Sequence, residues 1–542
     1  MEIPIIDIFA GPGGLGEGFS AFLDSQNKER RFKIALSIEK DEFAHRTLTL
    51  RSFFRQFPPG MVPSAYYKFV KGQITLDDLY KKWPEQAQKA KNDAWQAELG
   101  ESEKAVSNSI VDERIRAALE GKKEWLLIGG PPCQAYSVVG RSRRQEKILD
   151  EKKDERVGLY KQYLRILAIH NPAVFVMENV KGLLSAITEE NQVFTKILED
   201  LSDPVRAYSP ITKSDRIKLK CPGYRIYSLV AEPITTDVKG NPVFCPKDFV
   251  IQSENYGIPQ TRHRVILLGV RNGIEIQPEI LSPQAQVPIS EVLAGLPKLR
   301  SSVSKAVDDG EKWKEAIKKI LNKAHLKGVE QDVKDEILTE YGKILVPQKN
   351  AGNEYIAHEQ NRSLYRPAWF LDKKLGGVCN HAARGHMESD LLRYFFASCF
   401  AKVKKRSPKL EDFPEALLPA HRNVMAGISD KKFADRFRVQ LWEKPCKTIT
   451  SHISKDGHYY IHPDPTQCRS FTVREAARIQ TFPDNYYFCG PRTAQFIQVG
   501  NAVPPLLAYQ IAGIVDNIFT PMEPGLKLNK TSKLSELTCK VQ

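Results

Sequence analysis

A cysteine held on a rigid turn can attack an electron-poor carbon, and this chain has one in Gly129-Gly-Pro-Pro-Cys133-Gln-Ala-Tyr-Ser137. Two glycines and two prolines fix the turn, so the thiol projects from the backbone. A lone cysteine is more often an inert small hydrophobe, and the other eight of the nine cysteines are read that way. The Pro-Pro turn beside Gln134 and Tyr136 points instead to nucleophilic catalysis, which needs the thiolate. Val176-Met-Glu178-Asn-Val180 offers a complementary group. A glutamate after a strand is usually a cap or a surface acid. Paired with a nucleophile it is a candidate general acid, and burial would raise its pKa and help it hold the proton.

A second constellation could hold a cofactor. Asp7-Ile-Phe-Ala-Gly11-Pro-Gly13-Gly-Leu-Gly16 follows an apolar run and opens a helical stretch, and Gly11, Gly13 and Gly16 fit G-x-G-x-x-G. Residues without Cβ let a ligand lie against the turn, and Glu39, ending the next strand, can hold a ribose by its hydroxyls. The spacing alone fits NAD, FAD, S-adenosylmethionine or a tight turn with nothing bound. Pro12 removes a backbone donor and Glu17 puts an acid at the helix start, both awkward for a pyrophosphate. A cationic sulfonium ligand has no such difficulty.

These residues need a scaffold that brings strand ends together. Ile3–Phe9, Phe32–Ile38, Trp125–Ile128, Ala173–Met177 and Arg264–Val270 are short apolar runs separated by helical segments. That texture predicts a doubly wound α/β domain with a mostly parallel sheet covered on both faces, plus a second, smaller domain. The expected division is a catalytic and cofactor-binding domain over 1–271, with an elaboration at about 51–121 that is helical over Ala87–Leu99 and Val111–Leu119. A region of different texture follows over 272–465, and 466–542 returns to the first domain.

The 542 residues carry a net charge of +15, which suits a polyanionic partner. Arg141, Arg143 and Arg144 form one basic cluster and Lys402, Lys404, Lys405 and Arg406 another, each either solvated surface or a polyanion contact. Lys305–Tyr341, nearly balanced in charge, reads as a solvated helical face. The apolar runs are strand-sized and no signal-like N-terminus is present, so the expectation is a soluble protein without a membrane span. The cysteine count is odd and no pair forms C-x-x-C, which argues against a disulfide framework or zinc ribbon. His458 and His462 stand in a strand-like context, and Cys379 and His381 lack a spaced partner pair, so no metal is expected.

Taken together, Asp7-Ile-Phe-Ala-Gly-Pro-Gly-Gly-Leu, Gly130-Pro-Pro-Cys-Gln and Met177-Glu-Asn-Val180 resemble the cofactor, nucleophile and acid motifs of the cytosine-C5 DNA methyltransferase family. Three further segments are similar to its later motifs and stand in its order. They are Gln260-Thr-Arg262-His-Arg264, Arg474-Glu-Ala-Ala-Arg-Ile-Gln-Thr-Phe-Pro483 and Gln498-Val-Gly-Asn501-Ala-Val503. The resemblance runs from Asp7 to about Ile518, and Thr448–Gly457 and Arg384–Asp390 are similar to bacterial restriction–modification members. It implies Cys133, Glu178, Arg262 and Arg264 as catalytic residues. Phe9, Gly11, Gly13, Gly14, Gly16, Glu39, Pro131, Asn501 and Val503 would bind S-adenosylmethionine. The implied partner is double-stranded DNA, read by 272–465 and bound by a monomer in the bacterial cytoplasm. A restriction endonuclease acting on the same site would fit that setting. The family's acidic residue near the cofactor adenine has no clear counterpart within 51–121. A tRNA-modifying branch with similar motifs is the main rival, and the long insert before Arg474 favours duplex DNA.

Overall fold

The computed structural model describes residues 2–24, 28–131, 155–185, 193–208, 219–345, 351–359, 365–419 and 436–522. Cys133 and the Arg141–Arg144 cluster lie outside the described residues. The centre is an eight-stranded sheet of β1 (Ile3–Ile8), β2 (Phe32–Glu39), β3 (Ala94–Gln96), β4 (Leu126–Gly129), β5 (Val174–Val180), β6 (Tyr224–Tyr227), β7 (Val250–Gln252) and β8 (His263–Arg271). Its order is β3-β2-β1-β4-β5-β8-β6, with β7 also on β8. The first five strands pair in parallel. β8 runs antiparallel to β5, β6 and β7.

Every residue of β1 is buried because helices cover both faces. Ile3 and Ile5 enter one core with Ile128, Val176 and Ile266, whereas Ile6 and Ile8 enter another with Leu127, Phe175 and Leu267. The strand order reverses between β1 and β4, and their carboxyl ends open a crevice where ligands bind in such sheets. The glycine turn leaves β1 there, and the turn leading to Cys133 leaves β4.

Sequence and structure part company around residue 94. The helix expected over Ala87–Leu99 spans Pro84–Asp93 and then stops. Ala94–Gln96 pairs with Ser37–Glu39, so sheet pairing overrides the local helical pattern and the segment read as an elaboration supplies the sheet's edge strand.

A second core lies within 300–468. The helices Gly310–Lys318, Gln331–Gly342 and Glu388–Lys404 bury Trp313, Ile317, Ile337, Phe395 and Phe396 together. Lys305–Tyr341 is therefore amphipathic rather than merely solvated. Its acids also neutralise the basic run beyond it. Lys402 pairs with Glu336 and Glu340 at 2.7 Å each, and Lys404 with Glu330 at 2.6 Å and Asp332 at 2.8 Å. Arg406 meets Asp412 at 2.7 Å.

The chain then returns to the first core. Pro505–Phe519, with proline at its permitted first helical position, packs on α1 (Gly14–Ala21), where a Cβ on Gly18 would lie 2.3 Å from the Pro505 carbonyl oxygen. Arg492–Met522 is long and apolar enough by composition to cross a membrane, with mean hydropathy 1.2. It is interrupted at Ala502–Pro504, and 72% of its most apolar window is buried in the protein.

Candidate active site

The crevice between β1 and β4 opens into a cavity of about 510 Å³. It is lined by Phe9, Gly11, Gly14 and Glu39 on one side, by Pro131, Glu178, Arg262 and Arg264 on another, and by Asn501 and Val503 on a third. Gly13 and Gly16, expected with them, sit behind this surface.

The cofactor turn is built from strained backbone and a short tether. Phe9 has φ 55°, which a bulky side chain rarely adopts, and Gly11 follows at φ 56°. A Cβ on Gly11 would meet no atom within 4 Å, so that face of the turn is open. Glu39 accepts hydrogen bonds from the N–H groups of Gly11 and Asp41, each 2.8 Å long. The carboxylate expected to hold a ribose thus also ties the tip of β2 to the turn. Burial pushes its carboxyl upward, and these N–H donors oppose that shift.

Gly14 and Gly16 serve packing within the chain. A Cβ on Gly14 would lie 2.2 Å from the Val503 carbonyl oxygen, and one on Gly16 would lie 3.2 Å from Asp7 Oδ2. Glu17 also has a different role from the one its position suggested. Arg51 Nε donates to its carboxylate at 2.9 Å and Arg55 Nη2 at 2.7 Å. Burial would raise the Glu17 carboxyl, but the two guanidinium groups outweigh it and hold it near 2. Because its charge is neutralised, Glu17 says nothing against a pyrophosphate, and only Pro12 retains that force.

Opposite the glycine turn, Glu178 on β5 and Arg264 on β8 are brought together by antiparallel pairing. Arg264 Nε lies 2.9 Å from Glu178 Oε1. Gly130 leaves room for this carboxylate, since a Cβ there would stand 3.0 Å from Glu178 Oε2. Asn179 Nδ2 donates to the Pro131 carbonyl at 3.1 Å, anchoring the turn just before Cys133. Arg262 is buried and donates through Nη1 to the carbonyls of Ile449 at 2.8 Å and Gly500 at 3.3 Å. Its Nε has no hydrogen-bond partner among the described residues. Burial, then neighbouring Arg264, pulls its pKa to about 9, with Glu178 opposing, so it stays a cation at neutral pH.

A buried amide pair fastens the third wall. Gln260 Nε2 donates to Gln480 Oε1 at 2.6 Å and Gln260 Oε1 accepts from Ile449 N at 3.1 Å. Gln480 Nε2 donates to the carbonyls of Val499 at 2.7 Å and Ala502 at 3.2 Å. Thr450 and Ser451 reach the cavity because Gly500 lets their backbone lie on the helix Arg492–Asn501, where a Cβ would be 2.2 Å from Ser451 N. The sequence reading missed these two residues, together with Asp7, Ala97 and Leu99, which also line the cavity. Ala97 and Leu99 follow β3, an edge strand without an apolar pattern of its own. Their place after the third parallel strand is the signal that could have found them.

Arg474–Pro483, one of the segments similar to the family's later motifs, sits in a block of buried ion pairs. Arg469 meets Glu475 and Arg478 meets Asp484, each at 2.7 Å. Arg474 Nε donates to the Cys379 carbonyl at 2.8 Å and its Nη2 to that of Tyr486 at 2.7 Å. The paired His and Cys positions are used in other ways. His381 is within 2.8 Å of Thr472 Oγ1, and His458 lies in a turn with Tyr394 Oη 2.8 Å from its Nδ1. No group of three or more potential metal ligands occurs among the described residues. Burial pushes the Cys379 thiol to about 11 and that of Cys489 to about 12, which keeps both unreactive.

The strand order, the glycine turn at the switch point and the cavity joining it to Glu178 define a Rossmann-like α/β fold with a ligand crevice at its switch point. A sequence model of the family "C-5 cytosine-specific DNA methylase" matches residues 84–205 and 247–516. The chain is similar to type II methyltransferase M.Bpa9945I of Bacillus paralicheniformis, at 31% identity over 95% of this chain and 98% of that protein. It is also similar to M.DdeI of Desulfomicrobium norvegicum, at 25% identity over 94% of this chain and 87% of that one. M.AgeI of Thalassovita gelatinovora is 24% identical over 94% of this chain and 97% of that protein. The chain belongs to the C-5 cytosine-specific DNA methylase family.

Proposed function

We propose that this protein methylates C5 of cytosine within a specific duplex DNA sequence, as the modification enzyme of a restriction–modification system. The observation that carries this reading is the one cavity that joins the open Gly11 turn to the Glu178–Arg264 pair and to Pro131, two residues before Cys133 in the sequence. The residues fit the donor. Gly11 leaves an uncovered face, Glu39 presents a carboxylate at the tip of β2, and Asn501 and Val503 close the far side. When bound, S-adenosylmethionine supplies an electrophilic methyl group.

Carbon 5 of cytosine is a weak nucleophile and must be made enamine-like before it can take that group. In this reading the Cys133 thiolate adds to C6 while Glu178 gives a proton or hydrogen bond at N3. Arg264, already oriented by Glu178, and Arg262, through its unpartnered Nε, steady charge developing at O2. Loss of the C5 proton and elimination of Cys133 restore the enzyme. The base must leave the duplex to reach the cavity. Target selection is assigned to 272–465, the catalytic work to 1–271 and the returning segment 466–542. The enzyme would act as a cytoplasmic monomer on DNA, with a cognate endonuclease cutting the same unmethylated site.

Duplex DNA containing 5-fluorocytosine tests this, because a fluorine at C5 cannot leave as a proton and the Cys133 adduct persists. Stable trapping in the presence of the donor is expected. Binding of DNA and donor without trapping would overturn the mechanism. Labelled methyl transfer to tRNA instead of duplex DNA would overturn the substrate, and bisulfite sequencing of DNA from expressing cells gives the target sequence.

A further inference from the structure

Among the described residues that line the cavity, only Thr450 and Ser451 come from the region assigned to target selection. They end a short segment, 448–451, that runs beside Arg262. Gln260 and Thr261 pair in parallel with Cys446 and Lys447, which delivers the segment to that place. Thr448 Oγ1 then donates to the Thr261 carbonyl at 2.7 Å, and Ile449 N–H to Gln260 Oε1 at 3.1 Å. The Ile449 carbonyl accepts from Arg262 Nη1 at 2.8 Å. The other acceptor for that nitrogen, the Gly500 carbonyl, is at 3.3 Å, so Ile449 is the closer hold on the guanidinium.

Tyr460 fixes the segment. Its ring is 5% exposed and shares a core with Ile449, Phe471 and Val473, outside the cavity lining. Burial pushes its phenol up, so the hydroxyl keeps its proton. A phenol has one proton to give and lone pairs with which to accept. The proton goes to the Thr448 carbonyl at 2.8 Å, and the oxygen accepts from Thr450 N–H and Thr450 Oγ1, each at 3.1 Å. One oxygen thus closes on both neighbours of Ile449, and the carbonyl presented to Arg262 is held from either end.

We propose that Tyr460 is a positioning residue for methyl transfer, holding Arg262 in its working posture through the Ile449 carbonyl. The region that selects the target and the cation that steadies the ring then share one hydrogen-bonded junction. The inference rests on Arg262 acting on a cytosine bound in this cavity.

Tyr460→Phe keeps the ring and removes the junction. In the full-length protein on duplex DNA it should lower kcat by about 10–10²-fold. The donor KM and the DNA Kd should each change by less than about twofold. The rate of trapping on 5-fluorocytosine duplex should fall by the same factor as kcat, because Arg262 acts as the adduct forms. A lowered urea midpoint with kcat unchanged marks a brace for stability alone and overturns the proposal, as do equal losses in kcat, donor KM and DNA affinity. In an Arg262→Lys background the same change should lower kcat by less than about twofold further, since the posture it protects is already lost. An undiminished loss there overturns the path through Arg262. If Tyr460→Phe does not fold, Thr448→Val, which frees the same segment from the Thr261 carbonyl, should lower kcat at constant donor KM, and an unchanged kcat overturns the proposal. Wild-type protein that never traps on the fluorinated duplex would instead remove the mechanism on which the inference rests.

Discussion

The two sides of the cavity are built on different principles. On the amino-terminal side the lining residues lie at or just past the ends of parallel strands, as Phe9 and Gly11 follow β1 and Pro131 follows β4. On the carboxyl-terminal side the surface is stitched from Gln260–Arg264, Thr448–Ser451 and Ile479–Val503, distant in sequence and held by buried amides and guanidinium groups. The first side inherits its geometry from the sheet. The second depends on buried amides and guanidinium groups meeting partners from distant segments, so a single substitution there should propagate further than its own contacts.

The largest expected effect sharpens the first half of this comparison. Cys133→Ser should abolish turnover and 5-fluorocytosine trapping while duplex binding persists, and retained methylation would refute the assigned nucleophile. Glu178→Gln should lower kcat by about 10²–10⁴-fold with little change in DNA affinity; an equal loss in both would make Glu178 a structural residue.

Breaking the second side should show as stability. Gln480→Leu removes the hydrogen bond to Gln260 and the side-chain donor to the Val499 and Ala502 carbonyls, at a cost of about 1–3 kcal/mol in urea unfolding, together with a raised KM for the donor. Gln260→Leu combined with Gln480→Leu should cost less than the sum of the single changes, because the pair shares one hydrogen bond. Additive losses would show that the two amides act independently.

A pH titration reads the same half of the molecule more gently. Burial holds His381 and His462 near 4, below the 6.5 of an exposed imidazole. The unfolded chain therefore binds more protons than the folded one between these values, so stability should fall as pH drops from about 6.5 towards 4. A thermal midpoint unchanged across that window would refute the neutral assignment. The smallest effect belongs to the surface. Arg406→Ala should cost less than about 1 kcal/mol and leave the salt dependence of DNA binding unchanged, because this exposed cation is occupied by Asp412.

The same contrast explains what could be read from the chain. Glu178, the glycine turn and Gln260–Arg264 announce themselves because strand, turn and functional residue are contiguous. The pairing of Lys402 and Lys404 with acids on Gln331–Gly342 and just before it was illegible, since the partners meet only after two helices pack. Ala94–Gln96 was read as helix because its three residues carry no pattern of their own and become a strand only against Ser37–Glu39. Glu17 misled for a related reason. Its position at a helix start says nothing of Arg51 and Arg55, which arrive from α2 (Glu42–Arg55). Asp7 was visible as a residue, but its burial was not, because burial is a property of the whole fold.

One contact has a bearing on how the enzyme comes into being. The Val503 carbonyl rests on Gly14, so the first and last parts of the polypeptide complete the same wall. A nascent chain still attached at its far end to the ribosome has already made its sheet strands but lacks that wall. A product interrupted before Val503 would therefore hold its sheet and leave the cavity open on one side.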